Sequence, residues 1–141
     1  MAEWRDRSED LRAAGAAVIA ISVDDAARSE ALRREMKLPF SILCDTRREV
    51  VNAFGLLNRR EMGGVAYAAV FVIGPGRMVR FRALEDTHVR VDTRDVVALV
   101  RALNEGREGA PPRPRRIRPG TMFLRAAMNA LRRGFISRAR G

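Results

Sequence analysis

The sequence contains very little of the chemistry that small proteins use for cross-links or metal sites. Its 141 residues include a single cysteine, Cys44, and a single histidine, His88. A disulfide framework needs cysteine pairs and a zinc site needs several Cys or His ligands, so both classes are excluded for this chain. GxGxxG and GK[ST] motifs are also absent, which excludes the common phosphate-binding loops. The sequence therefore predicts no metal and no bound cofactor.

Long hydrophobic runs are lacking as well. No apolar run approaches the length of about 20 residues that a membrane-spanning helix needs. The first residues, 1–12, are charged where a secretory signal would be apolar. A cytoplasmic location is therefore expected, and the apolar share of 47% is sufficient for the core of one domain.

The positive charge is unevenly distributed along the chain. Lys37 is the only lysine, so arginine supplies nearly all of the net charge of +10. Residues 107–141 contain ten arginines and one acid, whereas residues 1–106 are nearly neutral. We therefore predict a domain over 1–106, a Pro/Arg-rich linker over 107–120 that is extended and unpacked, and a basic amphipathic helical tail over 121–141.

The predicted tail helix has an apolar face and an arginine face. Arg125, Arg132 and Arg133 lie opposite Phe123, Leu124, Ala127, Met128, Leu131 and Phe135. This arrangement is typical of a helix that binds an anionic membrane surface or an acidic protein. The alternatives are docking on the domain's own apolar surface and disorder until a partner binds. Nucleic acid is not favoured, because the tail lacks the interleaved aromatic residues that stack on bases.

The first half of the domain alternates between helix and strand patterns. A helix over 2–14 precedes the apolar, β-branched run 18–23, which is typical of a strand buried on both faces. A second helix over 26–37, with Asp24 and Asp25 at its start, leads to a short strand at 40–44. Thr46-x-x-Glu49 predicts a capping box that opens a third helix, and Gly55 ends that helix.

The second half contains two strands and a closing helix. Strands are predicted at 66–73 and 77–83, joined by a Gly-Pro-Gly turn. A loop over 85–91 follows, and Asp92 or Thr93 caps a last helix with Val96, Leu99, Val100 and Leu103 at helical spacing. The element order α-β-α-β-α-β-β-α predicts an α/β fold with three layers, α/β/α.

The position of the first helix conflicts with a complete sheet. In a right-handed β-α-β unit, a helix that leads directly into a buried parallel strand is a crossover and has a strand before it. The helix at 2–14 has none in this sequence. We therefore expect a fold that is incomplete at the N-terminus and lacks the strand that would precede this helix.

Several segments together resemble the alkyl hydroperoxide reductase and thiol-specific antioxidant (redoxin) group of peroxiredoxins. They are VIAISVD at 18–24, LPFSILCD at 38–45, EVVNAFGL at 49–56 and AVFVIGPGRMVRF at 69–81. The resemblance covers roughly 1–104 and implies a thioredoxin-like fold and an antioxidant oxidoreductase that uses peroxide and a thiol reductant. It also implies a peroxidatic cysteine at the start of helix 2–14, the place that Met1 occupies. The family's sheet order further implies a strand between 18–23 and 66–73, so its absence leaves an open position beside strand 18–23.

The missing cysteine leaves two interpretations open. In the first, the chain is a peroxiredoxin-like enzyme that is inactive as it stands, because the start site is assigned too late. In the second, it is a non-catalytic thioredoxin-fold binding module that uses the basic tail. Tyr67 and Ala68 stand where the family commonly has Arg and Pro, which favours loss of activity.

No catalytic residue is assigned, and Cys44 is the only thiol that could serve as one. We interpret it as a buried residue at a strand end, since neighbouring Asp45 disfavours a thiolate by like-charge repulsion; a redox sensor is the alternative. His88 is predicted to lie on the surface and Arg90 to be solvated or ion-paired, while Trp4 packs in the core. The oligomeric state is not indicated.

Overall fold

A computed structural model describes residues 1–58, 65–86 and 88–116. The predicted tail at 121–141, with Arg125, Arg132 and Arg133, lies outside the described residues. In the described ranges, no helix is both long enough and apolar enough to cross a bilayer.

The described chain has the predicted alternation of helices and strands, with additional short strands. The helices are α1 (Ala2–Ala13), α2 (Ala26–Glu35), α3 (Glu49–Ala53) and α4 (Thr93–Asn104). The strands are β1 (Ala20–Ser22), β2 (Ile42–Cys44), β3 (Leu57–Asn58), β4 (Val65–Ala66), β5 (Ala69–Ile73), β6 (Val79–Leu84), β7 (Val89–Val91) and β8 (Pro114–Arg116). The predicted loop 85–91 therefore contains a strand, β7.

The strands pair two by two. β1 lies parallel to β2 with Ile21 opposite Leu43, and β5 lies antiparallel to β6 with Val70 opposite Ala83. β3 with β4 and β7 with β8 form antiparallel pairs. Within the described ranges β1 and β5 are not paired with each other, and each has one hydrogen-bonded neighbour. The expected open position beside strand 18–23 is thus confirmed for this part of the chain.

The main core lies between α1, the β5–β6 pair and α4. It is built from buried Leu11, Ala14, Val70, Val91, Val96, Val97 and Val100, and Trp4 packs against it as predicted. Buried Leu38, Phe40 and Val51 lie outside this cluster, near α2, β2 and α3. The helical spacing of apolar residues in α1 and α4 therefore marks the faces that form the core.

The strand face opposite this core is incompletely covered. Ile19 is 63% exposed and Leu84 67%, and Ile21, Leu43 and Ile73 are also exposed. The prediction that 18–23 is buried on both faces is therefore wrong: Val18 packs against the core, while Ile19 and Ile21, which alternate with it, face outward.

Residues 107–116, which we name the strap, are packed against the domain. Pro112 is buried, and β8 is hydrogen-bonded to β7. The prediction of an extended, unpacked linker is therefore wrong for this part of 107–120. The reason is that α4 carries buried Leu99 and Ala102 on a second apolar side, and the strap at Gly109 lies directly against both residues.

Helix ends follow the predicted caps in two cases. The Asp25 carboxylate accepts a hydrogen bond from the Arg28 amide (2.8 Å), and the Asp92 carboxylate accepts one from the Arg94 amide (3.0 Å). α1 ends at Gly15, whose φ of +84° lies in the left-handed region that favours glycine. The Asn104 side chain at the end of α4 donates to the Ala14 carbonyl, so the two helix ends are joined here.

Candidate active site

An ion pair between Arg90 and Glu85 lies next to the N-terminal end of α1. Arg90 Nη1 donates to Glu85 Oε2 at 2.9 Å, and the Val91 amide donates to Glu85 Oε1 at 2.8 Å. The Glu85 side chain is only 10% exposed, and its own amide donates to the Ala68 carbonyl at 2.7 Å. Glu85 therefore fixes the Arg90 guanidinium relative to both β7 and the start of β5.

The first turn of α1 places further charges beside the Arg90–Glu85 ion pair. The Met1 amino group is close enough to Arg90, Glu85 and Glu3 to interact with their charges, and its pKa is lowered, first by burial and then by the Arg90 charge. No side chain in the described residues caps the α1 amides at Met1. Free helix amides and a fixed guanidinium together favour an anion, and a thiolate placed here would be stabilised by both.

Cys44 lies at a different place, at the C-terminal end of β2. It is exposed, so the interpretation of a buried strand-end residue is wrong. The physical reason is that β1 is the only described strand paired with β2, and the side chain of Cys44 at the end of β2 lies in solvent. Cys44 Sγ is 4.0 Å from the Ile42 carbonyl oxygen and borders an open depression of about 390 Å³ that also includes Thr46 and Val50. This depression does not include Arg90 or Met1.

Asp45, beside Cys44, caps α3. Asp45 Oδ1 accepts from the Glu49 amide (2.8 Å) and Oδ2 from the Val51 amide (2.9 Å). These backbone hydrogen bonds, with that of Val51 the strongest, lower the pKa of Asp45 although burial opposes the shift. The predicted Thr46-x-x-Glu49 capping box is therefore wrong, because the carboxylate one residue earlier takes the helix amides.

The order of these elements matches one known family. Its model, described as AhpC/TSA family, matches residues 1–82, more than half of the chain. The chain belongs to the AhpC/TSA family. The predicted resemblance is thereby confirmed.

Known AhpC/TSA proteins share the fold of this member. A peroxiredoxin of Thermoplasma volcanium is 24% identical over 131 residues, covering 79% of this chain and 64% of the relative. Mycobacterium tuberculosis AhpC is similar in structure (TM-score 0.64, 25% identity, 74% of this chain and 60% of that one). Enterococcus faecalis AhpC has a TM-score of 0.65 at 20% identity, and the match covers 78% of this chain and 70% of that one. The α/β, thioredoxin-like fold is thus confirmed. The chain spans just under two thirds of the length of the Thermoplasma and Mycobacterium proteins.

Two residues of this AhpC/TSA member differ from the pattern that the resemblance implies. Tyr67 is exposed, and its amide donates to the Leu56 carbonyl at 2.8 Å. The carbonyl of Ala68 accepts the Glu85 amide. These positions therefore provide backbone contacts at the start of β5 and no positive charge.

The other predicted residues are placed as follows. Arg90 is ion-paired, as predicted. His88 is exposed, as predicted, and its amide donates to Asp86 Oδ1 at 2.6 Å. Glu85 was not singled out from the sequence. A useful signal would have been an acid directly after an edge strand, with an arginine five residues further on.

Replacement of Asp45 by Ala is expected to lower the thermal unfolding midpoint at pH 7 by about 4–8 °C, because two α3 amides lose their acceptor. Since the pKa of Asp45 is lowered in the folded state, its stabilising effect is present above the unfolded value of about 3.9 and is lost as the pH falls through the folded pKa. The difference between the two proteins should therefore shrink in acid. Circular dichroism melts from pH 7 to pH 2 would measure this.

Thr46→Ala is the matched control, because Thr46 is exposed and the predicted capping box would place the cap there. It should leave the midpoint nearly unchanged. A larger loss for Thr46→Ala than for Asp45→Ala would contradict the assignment of the cap to Asp45.

Proposed function

We propose that this AhpC/TSA member acts in thiol-dependent reduction of peroxides, as an antioxidant oxidoreductase, with its nucleophilic position at the N-terminal end of α1. The observation that carries the proposal is the Arg90–Glu85 ion pair beside that end. A guanidinium held at a fixed place next to free helix amides provides the electrostatic environment that a reactive cysteine needs.

The chemistry requires a sulfur at this position. A thiolate attacks one peroxide oxygen, the O–O bond breaks, and the departing oxygen takes a proton to leave as water or an alcohol. The sulfur becomes a sulfenic acid, which a thiol reductant converts to a disulfide with release of water. A second thiol then reduces the disulfide. Arg90 would stabilise the thiolate and the negative charge on the departing oxygen.

Residues 1–141 alone do not supply this sulfur at α1. Their only cysteine is Cys44, which lies at the end of β2 and shares no described hydrogen bond, ion pair or pocket with Arg90. We therefore expect these residues by themselves to consume no peroxide by this route, and Cys44 to react as an ordinary exposed thiol.

The test places a cysteine at the proposed position. Ala2→Cys in a Cys44→Ser background puts the only thiol in the first turn of α1, and Ala13→Cys in the same background puts it in the last turn, as a matched control. We expect the thiol at position 2 to have a pKa about 1–2 units lower than that at position 13, since the helix dipole and Arg90 favour the thiolate only at the first site. Alkylation rates between pH 5 and pH 10 would measure both pKa values.

The reaction with hydrogen peroxide completes the test. The thiol at position 2 should form sulfenic acid about tenfold faster at pH 7 than that at position 13, and Arg90→Gln should remove much of this difference. Equal pKa values and equal rates at the two positions would overturn the proposal.

No observation favours the binding-module alternative. A cytoplasmic location and contact of Arg125, Arg132 and Arg133 with an anionic membrane surface or an acidic protein stay predictions from the sequence.

A further inference from the structure

The strap runs back along α4 in a close fit. A Cβ atom built on Gly109 would lie 2.6 Å from Leu99 Cδ1 and 3.2 Å from both Leu99 Cα and Ala102 Cβ. The strap backbone therefore approaches α4 as closely as glycine allows. Pro112, three residues further on, is buried. The family match ends at residue 82, so it does not include this segment.

Beyond Pro112, the strap is held by one carboxylate of α4 and by backbone pairing. Arg113 Nε lies 2.9 Å and Nη2 3.3 Å from the two Asp95 carboxylate oxygens, and the Arg113 amide donates to the same carboxylate at 3.2 Å. The Asp92 amide donates to the Arg113 carbonyl at 3.1 Å. The strap is thus attached to the N-terminal end of α4 before it enters β8.

β8 then connects β7 to the first turn of α1. Arg115 is the register partner of Arg90 across the two strands, and its guanidinium forms an ion pair with Glu3 of α1. Like charges that face each other across strands repel. Each arginine here has its own carboxylate, Glu85 for Arg90 and Glu3 for Arg115. Closure of the strap therefore depends on carboxylates that belong to the domain.

Three of the four side chains in the ion pairs that hold β8 are well exposed to water. The Arg113 side chain is 82% exposed, both partners of the Arg115–Glu3 pair are nearly half exposed, and only Asp95, at 23%, is more covered. Ion pairs of this kind contribute little and are screened by salt. A three-residue strand held in this way can open without unfolding of the core.

We propose that the strap is a reversible cover, which closes over the β7 edge and the first turn of α1 and restricts access to Arg90. When it opens, β7 loses its described strand neighbour and Arg90 loses its cross-strand neighbour. The opening itself does not depend on the proposed peroxide chemistry; only its role as a cover for the reactive position rests on that proposal.

Hydrogen exchange measured by mass spectrometry on the full chain tests the opening. In the double variant Glu3→Gln/Asp95→Asn, the Asp92 amide, which donates to the Arg113 carbonyl, and the amides in 113–116 should exchange about 3- to 10-fold faster, because the strap loses its ion pairs. Added salt should accelerate the same amides in the unsubstituted protein. Amides in 96–102 should be unaffected, since α4 stays in the core.

The matched control is Asp6→Asn/Glu9→Gln, which makes the same two substitutions at exposed acids of α1 that do not contact the strap. It should leave exchange of the Asp92 amide and of the amides in 113–116 unchanged. The proposal is overturned if both double variants accelerate these amides equally, or if α4 exchanges faster together with them, which would indicate general unfolding.

A second variant opens the strap without a change of charge. Gly109→Ala places a methyl group against Leu99 and should detach the strap, with the uncharged change Ala110→Ser at an exposed neighbour as its control. In the Ala2→Cys/Cys44→Ser protein, Gly109→Ala should increase the alkylation rate of the thiol severalfold.

If the strap amides exchange faster but this thiol reacts at an unchanged rate, the covering role is excluded. If the thiol at position 2 is no more reactive than one at position 13, the proposed function fails while the exchange result still decides whether the strap opens.

Discussion

Leu11→Ala is expected to lower the free energy of unfolding by about 2–5 kcal/mol. Leu11 is 3% exposed and belongs to the cluster where α1, β5 and α4 meet. Removal of the Leu11 side chain leaves a cavity between α1, β5 and α4. Because backbone hydrogen bonds hold these elements in shape, the surrounding side chains can fill the cavity only in part. Because total stabilities of small domains are about 5–15 kcal/mol, such a loss is a large share of the whole. Urea unfolding followed by circular dichroism measures it.

Leu84→Ala is the matched control for this experiment. The chemical change is identical, but Leu84 is 67% exposed on the uncovered strand face. Its effect should be within about 0.5 kcal/mol. Similar losses for the two variants would show that the exposed face, and not the α1–α4 layer, supplies the stability.

Gly15→Ala is the second change with a large expected effect, about 2–4 kcal/mol of lost stability. The φ of +84° puts any other residue in a strained left-handed conformation, and an added Cβ would overlap the Asn104 side chain. Asn104 would then have to release the Ala14 carbonyl, which separates the ends of α1 and α4. Thermal unfolding of the variant measures the sum of both effects.

Gly76→Ala separates the two contributions. Gly76 has a φ of +69°, and no described atom lies within 4 Å of a Cβ built there. This variant should lose only the conformational part, about 1–2 kcal/mol. If Gly15→Ala costs no more than Gly76→Ala, the contact between Gly15 and Asn104 has no energetic importance.

The elements that could be predicted from sequence are those specified by local contacts. α1 and α4 were found within a residue or two of their observed bounds, because their apolar residues recur at helical spacing and Gly15 ends the first of them. The same local rule predicts Asp92 or Thr93 as the cap of α4, because a capping side chain binds amides only a few residues away, and Asp92 is the cap. Helix bounds and caps of this kind depend on residues a few positions apart, so they can be predicted without knowledge of tertiary contacts.

The strap could not be predicted, because its pairing is non-local. Proline and arginine in 107–116 are typical of a solvated linker, and a three-residue strand has too few side chains to show an alternating pattern. What holds it is the second apolar side of α4 and the carboxylates of Asp95 and Glu3, which are distant in sequence. A single sequence does not show these contacts.

The candidate site was predicted only in part. Arg90 was singled out and is ion-paired, but Glu85, which holds it, was not identified. The sequence predicts Cys44 at the end of a buried strand, whereas β2 is paired with one described strand and Cys44 is exposed. A strand's composition predicts that it belongs to a sheet, whereas its exposure depends on its position in that sheet.

The position of Trp4 has a practical consequence for optical experiments. It is the only tryptophan of the chain and packs against the α1–α4 core, whereas the single tyrosine, Tyr67, is exposed. Indole emission should therefore report on one half of the molecule and be insensitive to events around β2 and α3. Partial melting of that second half would leave the fluorescence signal in place, so an emission-based titration alone would overstate how cooperatively the protein unfolds.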